Sequence, residues 1–473
     1  MNTTTVLLDH QKRAVAKLMP YRVGGLFMDM GTGKTRVVIE LAAQRQLRIS
    51  NVVYFCPVSL KETVRRELLT HTDLSESDIY MFGSRTTIQK TPKAFWYIIG
   101  IESMSSSDRQ VLAANAIIDD RSMAVVDESG YIKGHNSIRT QRITKLGAKA
   151  RFRIIMTGTP LSQGIIDLYA QMRFLSWRIL GYKSFYTFAH NHLQYSDKYP
   201  GMIVSSHNTD YLAAKVQPYT YQVTKAECLD LPDKTYTTYW HEMTQRQRSL
   251  YEQAKMEILA DVDASGEFDS YTIFRLFSSL QQIVCGFWNR KTEDGTVETI
   301  TFPHARLNVF ASAVAQIPAG EKVVIWSKYL RNIDEIVQRL RTDYGADSVA
   351  QFHGRLNEEQ RNEELNKFRN QARFFVATQS SGGHGLTLNE AAFHIFYSNG
   401  FKYSERIQAE DRSHRIGQKR NVHYIDIVCD SSIDDRISQA LHDKAGVLER
   451  FKRQVDNVKD KKSAEVRKLI ESL

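Results

Sequence analysis

This sequence predicts an α/β fold of two lobes, each a parallel sheet covered by helices, on three observations. Short apolar runs without alternation recur in two stretches of the chain, each followed by a turn and an amphipathic segment. Strands apolar throughout are buried on both faces, which marks parallel sheets flanked by helices. Between the two stretches, over roughly residues 162 to 300, the texture becomes aromatic-rich and helical.

In the first stretch the strand candidates are "GGLFMDM", "NVVYFCP", "FWYIIG", "MAVVDE" and "RFRIIMTG". In the second they are "KVVIWS", "SVAQFHG", "RFFVATQ", "HIFYSN" and "HYIDIV". The middle holds "FLSWRILGYKSFYTFAHNHL", "TQRQRSLYEQAKMEILADV" and "SYTIFRLFSSLQQIVCGFW", all helical in pattern. Within it "LDLPDKT" (229 to 235) reads as an extended joint, because Pro232 cannot continue a helix. The expected organisation is a first lobe over 1–230 with a helical protrusion at about 162–215. A linker and second helical protrusion follow over 231–300, a second lobe over 301–445, and a charged helix over 446–473.

Composition narrows the class. Hydrophobic residues at 42% and charged residues at 25% are those of an ordinary globular protein. No apolar run is long enough to span a bilayer, and the N-terminus lacks the pattern of a signal peptide, so no membrane role and a cytoplasmic location are expected. Cys56, Cys228, Cys285 and Cys429 show no paired spacing, which argues against a zinc ribbon or disulfide framework. A net charge of +10 permits a polyanion partner, but a solvated cationic face explains it equally well.

Three segments carry chemistry. "LFMDMGTGKTRVV" (26 to 38) follows an apolar strand and opens a helix, the setting of a phosphate-binding loop, although Met28 stands at the usual leading glycine. There Gly31 and Gly33 let backbone N–H groups close around phosphates, Lys34 reaches the β- and γ-phosphates, and the Thr35 hydroxyl holds Mg²⁺. "MAVVDES" (123 to 129) ends an apolar strand in two carboxylates: Asp127 to hold Mg²⁺ through water, and Glu128 to deprotonate the attacking water. In "QAEDRSHRIGQ" (408 to 418), Arg412 and Arg415 stand three apart, on one face if the segment is helical. They suit arginine fingers, while a charged helix with Glu410–Arg pairs is the plainer reading of that segment taken alone.

Taken in order, these stretches resemble the helicase-like ATPases of superfamily two, and among them the Swi/Snf-type DNA translocases. "LLDHQKRAV" (7 to 15) resembles the adenine-side motif, and "MDMGTGKT" the family's D-x-M-G-x-G-K-T. "VVYFCPVSLKETVRREL", "VVDESGYIKGHNSIRTQRITKL" and "IIMTGTPLSQGIIDLYAQMRFL" resemble the motifs that follow. "KVVIWSKYLRNIDEIVQRL", "QFHGRLNEEQRNEELNKFR", "VATQSSGGHGLTLNEAAFHIFYSN" and the D-R-x-H-R-I-G-Q string complete the set in the second lobe. The resemblance implies two RecA-like lobes with ATP in the cleft between them and Mg²⁺ as its companion. It makes Gln11 the reader of adenine, adds Thr32, Gly385 and Gln408 to the nucleotide contacts, and makes Arg412 and Arg415 fingers on the γ-phosphate. It implies DNA, duplex or branched, held by its phosphates, with Ser59, Lys61, Thr157, His353 and Thr378 as contacts. It also implies a near-minimal motor, monomeric, of the kind found in phages and bacteria and used in repair or recombination.

Four positions depart from the family pattern: Met28 for glycine, Gly130 where D-E-x-H has its histidine, Gln163-Gly164 for Gln-Asn, and Ser398-Asn399 for an aspartate. Gly130 leaves hydrolysis supported by Asp127 and Glu128 but puts the coupling of nucleotide to DNA in question. The alternatives to a working translocase are therefore a nucleotide-gated DNA clamp with weak hydrolysis, or a strand-separating helicase. Weaker signals have plainer readings. The consecutive "HNH" at 190 to 192 suits a packed helix better than a nuclease, His353 and His384 suit turns, and the aromatics of 174 to 240 suit a core better than base stacking. The C-terminal Lys/Arg-rich helix suits a solvated face or a brace between lobes better than a phosphate contact.

Overall fold

The computed structural model describes residues 1–158, 165–195, 203–265, 270–292, 295–382, 386–443, 463–471 and 473. They fall into two compact units, Met1–Asp230 and Leu231–Leu473.

The sheet of the first unit is built from β1 (Val23–Met28), β2 (Asn51–Cys56), β3 (Ile79–Met81), β4 (Trp96–Gly100), β5 (Ser122–Val126) and β6 (Phe152–Thr157). After a small antiparallel hairpin of β7 (Leu193–Tyr195) and β8 (Ile203–Ser206), β9 (Thr220–Val223) joins it. The order is β3-β4-β2-β5-β6-β1-β9, and every pairing is parallel. β2 shows why: all six residues of NVVYFC are buried. Val53 and Phe55 enter the core on one face of the sheet, while Val52, Tyr54 and Cys56 enter the core on the other. A strand that buries both faces has no polar side to expose, so helices must cover it twice. Because the strands are parallel, the loops after β1, β5 and β6 open at one edge of the sheet, where α/β folds place their ligands.

The second unit repeats the plan with β10 (Lys234–His241), a hairpin of β11 (Phe287–Lys291) and β12 (Val297–Thr301), then β13 (Val323–Ser327), β14 (Val349–Phe352), β15 (Phe374–Thr378), β16 (Phe393–Phe396) and β17 (Val422–Cys429). Its parallel sheet runs β10-β17-β16-β13-β15-β14. Val323 and Ile325 supply one core, and Val324 and Trp326 the opposite one. Fully buried Arg306 pairs with Asp434 and donates to the carbonyls of Tyr397 and Ile427, tying a helix to the sheet and to the helix Ile433–His442.

Two expectations change. Residues 231–300, expected as linker and helices, also contain β10, an edge strand paired with β17 over its whole length. Its outward positions carry Tyr236 and Trp240, each more than half exposed, so it lacks the apolar run that betrays the central strands. The part of the C-terminal helix that is described, Ser463–Glu471, is not solvated on all sides: Ile470 and Leu473 join the core of the helices Gln245–Ser265 and Ser270–Val284, and the Tyr251 hydroxyl donates to the Leu473 carbonyl at 3.0 Å. Residues 446–462 lie outside the described residues. All four cysteines are free, and no described helix is long and apolar enough to cross a membrane.

Candidate nucleotide site and nucleic-acid interface

The loop after β1 is shaped by its glycines. Gly31 (φ 77°) and Gly33 (φ 82°) adopt left-handed backbone, and the helix Lys34–Gln44 starts directly after Gly33. Gly33 is doubly constrained, since a Cβ there would collide with Nε2 of Gln11. Inside the loop the Thr32 hydroxyl donates to the Asp29 carbonyl at 2.7 Å. The Thr32 carbonyl in turn receives His10 Nε2 (2.8 Å) and Gln11 Nε2 (3.2 Å). The Lys34 ammonium donates to the carbonyls of Met28 (2.9 Å) and Asp29 (3.2 Å). The lysine is thus folded back on its own loop. Met28 is fully buried, part of the sheet core and not of the phosphate cradle.

Asp127 follows the last residue of β5. Its N–H donates to the Phe55 carbonyl (2.8 Å), and its Oδ2 accepts the Tyr54 hydroxyl at 2.9 Å. Burial raises its proton affinity, the neighbouring Glu128 carboxylate adds to this, and Lys34 and Tyr54 oppose it; the balance lies at about 6. The Tyr54 hydroxyl also engages the side chain of Thr35, so the two residues selected for Mg²⁺ share one neighbour. The donors suit that ion: a buried carboxylate in need of positive charge beside a hydroxyl, both hard oxygen ligands. Among the described residues there is no group of three or more His, Cys, Asp or Glu that could hold a metal ion by itself. Glu128 has left-handed backbone (φ 49°), a conformation that costs a non-glycine residue about 1–2 kcal/mol and recurs at working sites.

The turn after Glu128 is anchored by Ser129, whose hydroxyl donates to Gln171 Oε1 at 2.6 Å, and by a Lys133–Asp167 ion pair at 3.6 Å. Gly130 has ordinary backbone, and a Cβ built on it would meet nothing within 4 Å. No steric demand explains glycine at that position.

In the second unit the helix Tyr403–Glu410 ends before both candidate arginines, which lie in the turns that follow. They therefore do not share a helix face. The tertiary fold brings them together instead: Nη1 of Arg412 and Nη1 of Arg415 both point at the Leu386 carbonyl, at 3.5 and 3.2 Å. Gln408 supports the pair through its backbone, its carbonyl accepting Arg412 Nε at 3.0 Å. Gly385 and His384 lie outside the described residues, as do Gln163 and Gly164. Glu410 pairs with Arg406 (2.8 Å) and Lys234 (2.9 Å), and not with the two arginines. Burial alone would raise its proton affinity, but those two cations hold it below the ordinary glutamate value. Asn399 completes the network, donating to Asp426 Oδ1 at 2.8 Å and accepting Arg406 Nη1 at 3.0 Å.

Of the nucleic-acid candidates, Ser59 is exposed on the turn Val58–Leu60. The Lys61 ammonium donates to the Phe82 carbonyl at 2.9 Å. Thr157, His353 and Thr378 are buried, and burial helps keep His353 neutral. His192 is buried, donating to the His207 carbonyl and accepting from the Tyr182 hydroxyl, so "HNH" is a helix end tied into its neighbours. The aromatics divide: Phe174, Phe188 and Tyr169 are core, whereas Trp177, Tyr186 and Tyr211 are exposed. Sequence reasoning missed Tyr54, His10 and Asp29. Asp29 Oδ2 accepts the Lys225 backbone N–H at 2.9 Å and its N–H donates to the Val223 carbonyl, linking the phosphate loop to the segment that leaves the sheet. The one available signal was a polar-tipped tyrosine within the otherwise apolar β2.

The chain matches the SNF2-related domain over residues 10–287 and the helicase conserved C-terminal domain over residues 306–417. It belongs to the SNF2 family. Among SNF2 relatives it is 27% identical over 330 residues to an uncharacterized ATP-dependent helicase of Mycoplasma genitalium, covering 69% of this chain and 30% of the relative. It is 26% identical to the chromodomain-helicase-DNA-binding protein 1-like of Danio rerio, covering 86% of this chain and 40% of that one. It thus spans well under half the length of these relatives. Among solved structures, the SWI2/SNF2 ATPase core of Sulfolobus solfataricus in complex with dsDNA aligns with a TM-score of 0.44 at 21% identity, covering 99% of this chain and 96% of the other.

Proposed function

We propose that this SNF2-family chain is an ATP-driven DNA translocase, hydrolysing ATP to move along or remodel duplex or branched DNA. The observation that carries the reading is the meeting of Lys34, Thr35, Tyr54 and Asp127 at one edge of the first sheet. In it, Gly31, Thr32 and Gly33 offer backbone N–H groups to the phosphates, Lys34 leaves its loop carbonyls for them, and Gln11 meets the adenine. Thr35 and Asp127 would hold Mg²⁺, which would supply positive charge against the phosphates. Glu128 takes the proton of the attacking water, and Arg412 and Arg415 meet the γ-phosphate. Ser59 and Lys61 contact the DNA backbone, a role the chain's net charge of +10 permits.

The test is the ATPase rate of the purified chain with single-stranded, duplex, forked and four-way DNA. DNA-stimulated hydrolysis abolished by Lys34→Ala and by Glu128→Gln is expected. Gly130 favours a second reading, a nucleotide-gated DNA clamp, and unstimulated, barely measurable hydrolysis with ATP-dependent DNA binding intact would select it. Unwinding of the forked duplex would select strand separation.

A further inference from the structure

Behind the two arginines runs a chain of hydrogen bonds whose direction is fixed by chemistry. The indole Nε1 of Trp326, on β13, can only donate, and it donates to Nδ1 of His394 on β16 at 3.1 Å. Nδ1 is therefore the acceptor, the neutral ring carries its proton on Nε2, and Nε2 donates to the Ser413 hydroxyl at 2.7 Å. That hydroxyl passes its own proton to the Leu388 carbonyl at 2.7 Å. The Leu388 N–H donates to the carbonyl of Arg412 at 2.9 Å, so the arginine turn is stitched to residue 388 from both sides. Trp326, His394 and Ser413 are all fully buried. Ser413 stands at the one position that the D-R-x-H-R-I-G-Q pattern leaves open, and no part of the nucleotide site uses His394.

We infer that His394 is a positioning residue for the arginine pair: through Ser413 it fixes the turn that aims Arg412 and Arg415 at the Leu386 carbonyl. Only the neutral Nε2–H ring can accept from Trp326 and donate to Ser413 at once; the other tautomer or a protonated ring breaks a bond. Burial, reinforced by Arg406 and Lys234 nearby, holds the ring neutral against the pull of Glu410, with the proton affinity pushed down to about 3. A fully buried imidazole with both nitrogens engaged cannot rotate to another arrangement without stranding a polar group in the core. A small displacement of a group that stabilises a transition state costs rate without costing ground-state binding.

The inference rests on the ATPase reading for its kinetic test and is independent of it for its spectroscopic one. In the full chain, Ser413→Ala and His394→Phe should lower kcat about tenfold or more, leave KM for ATP within about twofold, and lose their effect in an Arg415→Ala background. His394→Gln, which can accept and donate in the same places, should recover part of the loss. Kcat and KM moving together, or an undiminished effect in the Arg415→Ala background, would overturn the inference. ¹⁵N spectra of histidine-labelled wild-type chain, assigned with His394→Gln, should show a neutral Nε2–H ring from pH 8 to about pH 5, and an Nδ1–H ring or protonation near pH 6 would also overturn it. If the wild-type chain has no ATPase activity, the functional reading falls, and the nitrogen shifts alone decide whether the relay exists.

Discussion

The Tyr54 hydroxyl donates to Asp127 Oδ2 at 2.9 Å across two adjacent strands, and with the Lys34 ammonium and the Glu128 N–H it opposes the burial that raises that carboxyl's proton affinity. Tyr54→Phe removes that hydrogen bond and leaves the Lys34 charge in place. In the metal- and nucleotide-free chain, the acid limb of the Asp127 carboxyl titration followed by ¹³C NMR, at about pH 6, should move to higher pH. A limb that stays in place would mean that the Tyr54 hydroxyl does not oppose the burial.

The same shift has a sign for stability. Asp127 titrates at about 6 when folded against an ordinary aspartate value of 3.8, so the native state holds the extra proton between these limits. Its contribution is full below the lower value and is lost as pH rises through about 6. Urea melts of the ligand-free chain should therefore show a stability loss between pH 4 and 6 that Asp127→Asn diminishes and that excess Mg²⁺ offsets at the upper end, provided the ion binds the ionised form.

Restoring the family's leading glycine should harm the protein. Met28 is a fully buried member of the sheet core, so Met28→Gly opens a cavity and should cost about 2–5 kcal/mol by chemical denaturation. Gly33→Ala, by contrast, acts at the site: left-handed backbone plus collision with Gln11 should abolish nucleotide binding measured by calorimetry.

Arg412→Ala and Arg415→Ala should each reduce kcat strongly, toward the ~10³-fold and larger effects of arginine fingers, with ATP affinity nearly unchanged. Loss of ATP affinity with turnover preserved would refute the assignment.

Asn399→Asp, which restores the family residue at one of the departures, should destabilise the second unit. The amide donates to Asp426 and accepts from Arg406, whereas an aspartate would set two carboxylates face to face in a largely buried network. A loss of about 1–3 kcal/mol is expected in thermal melts at neutral pH, shrinking as pH is lowered toward the carboxylate range.

The legible parts of this protein were those written in consecutive residues. All-apolar strands such as NVVYFC and VVIWS announce burial on both faces. The G-T-G-K-T loop announces its conformation because two glycines alone can take left-handed backbone there. β10 escaped because an edge strand exposes one side, so its aromatics and threonines read as protrusion. The condition under which Arg412 and Arg415 would share a helix face is not met, because the helix ends at Glu410 and a spacing of three residues carries no information beyond it.

By itself the sequence determined the two parallel-sheet lobes, the glycine-shaped loop after β1, the paired carboxylates and the arginine string, because each depends on residues within a few positions of one another. Only the tertiary structure decided that Tyr54 meets Asp127 across 73 residues, that Asn399 serves as donor and acceptor between Asp426 and Arg406, and that His394 backs Ser413. Those pairings depend on strand order and register. Whether a buried polar group finds its one directional partner is settled only where the chain returns beside itself.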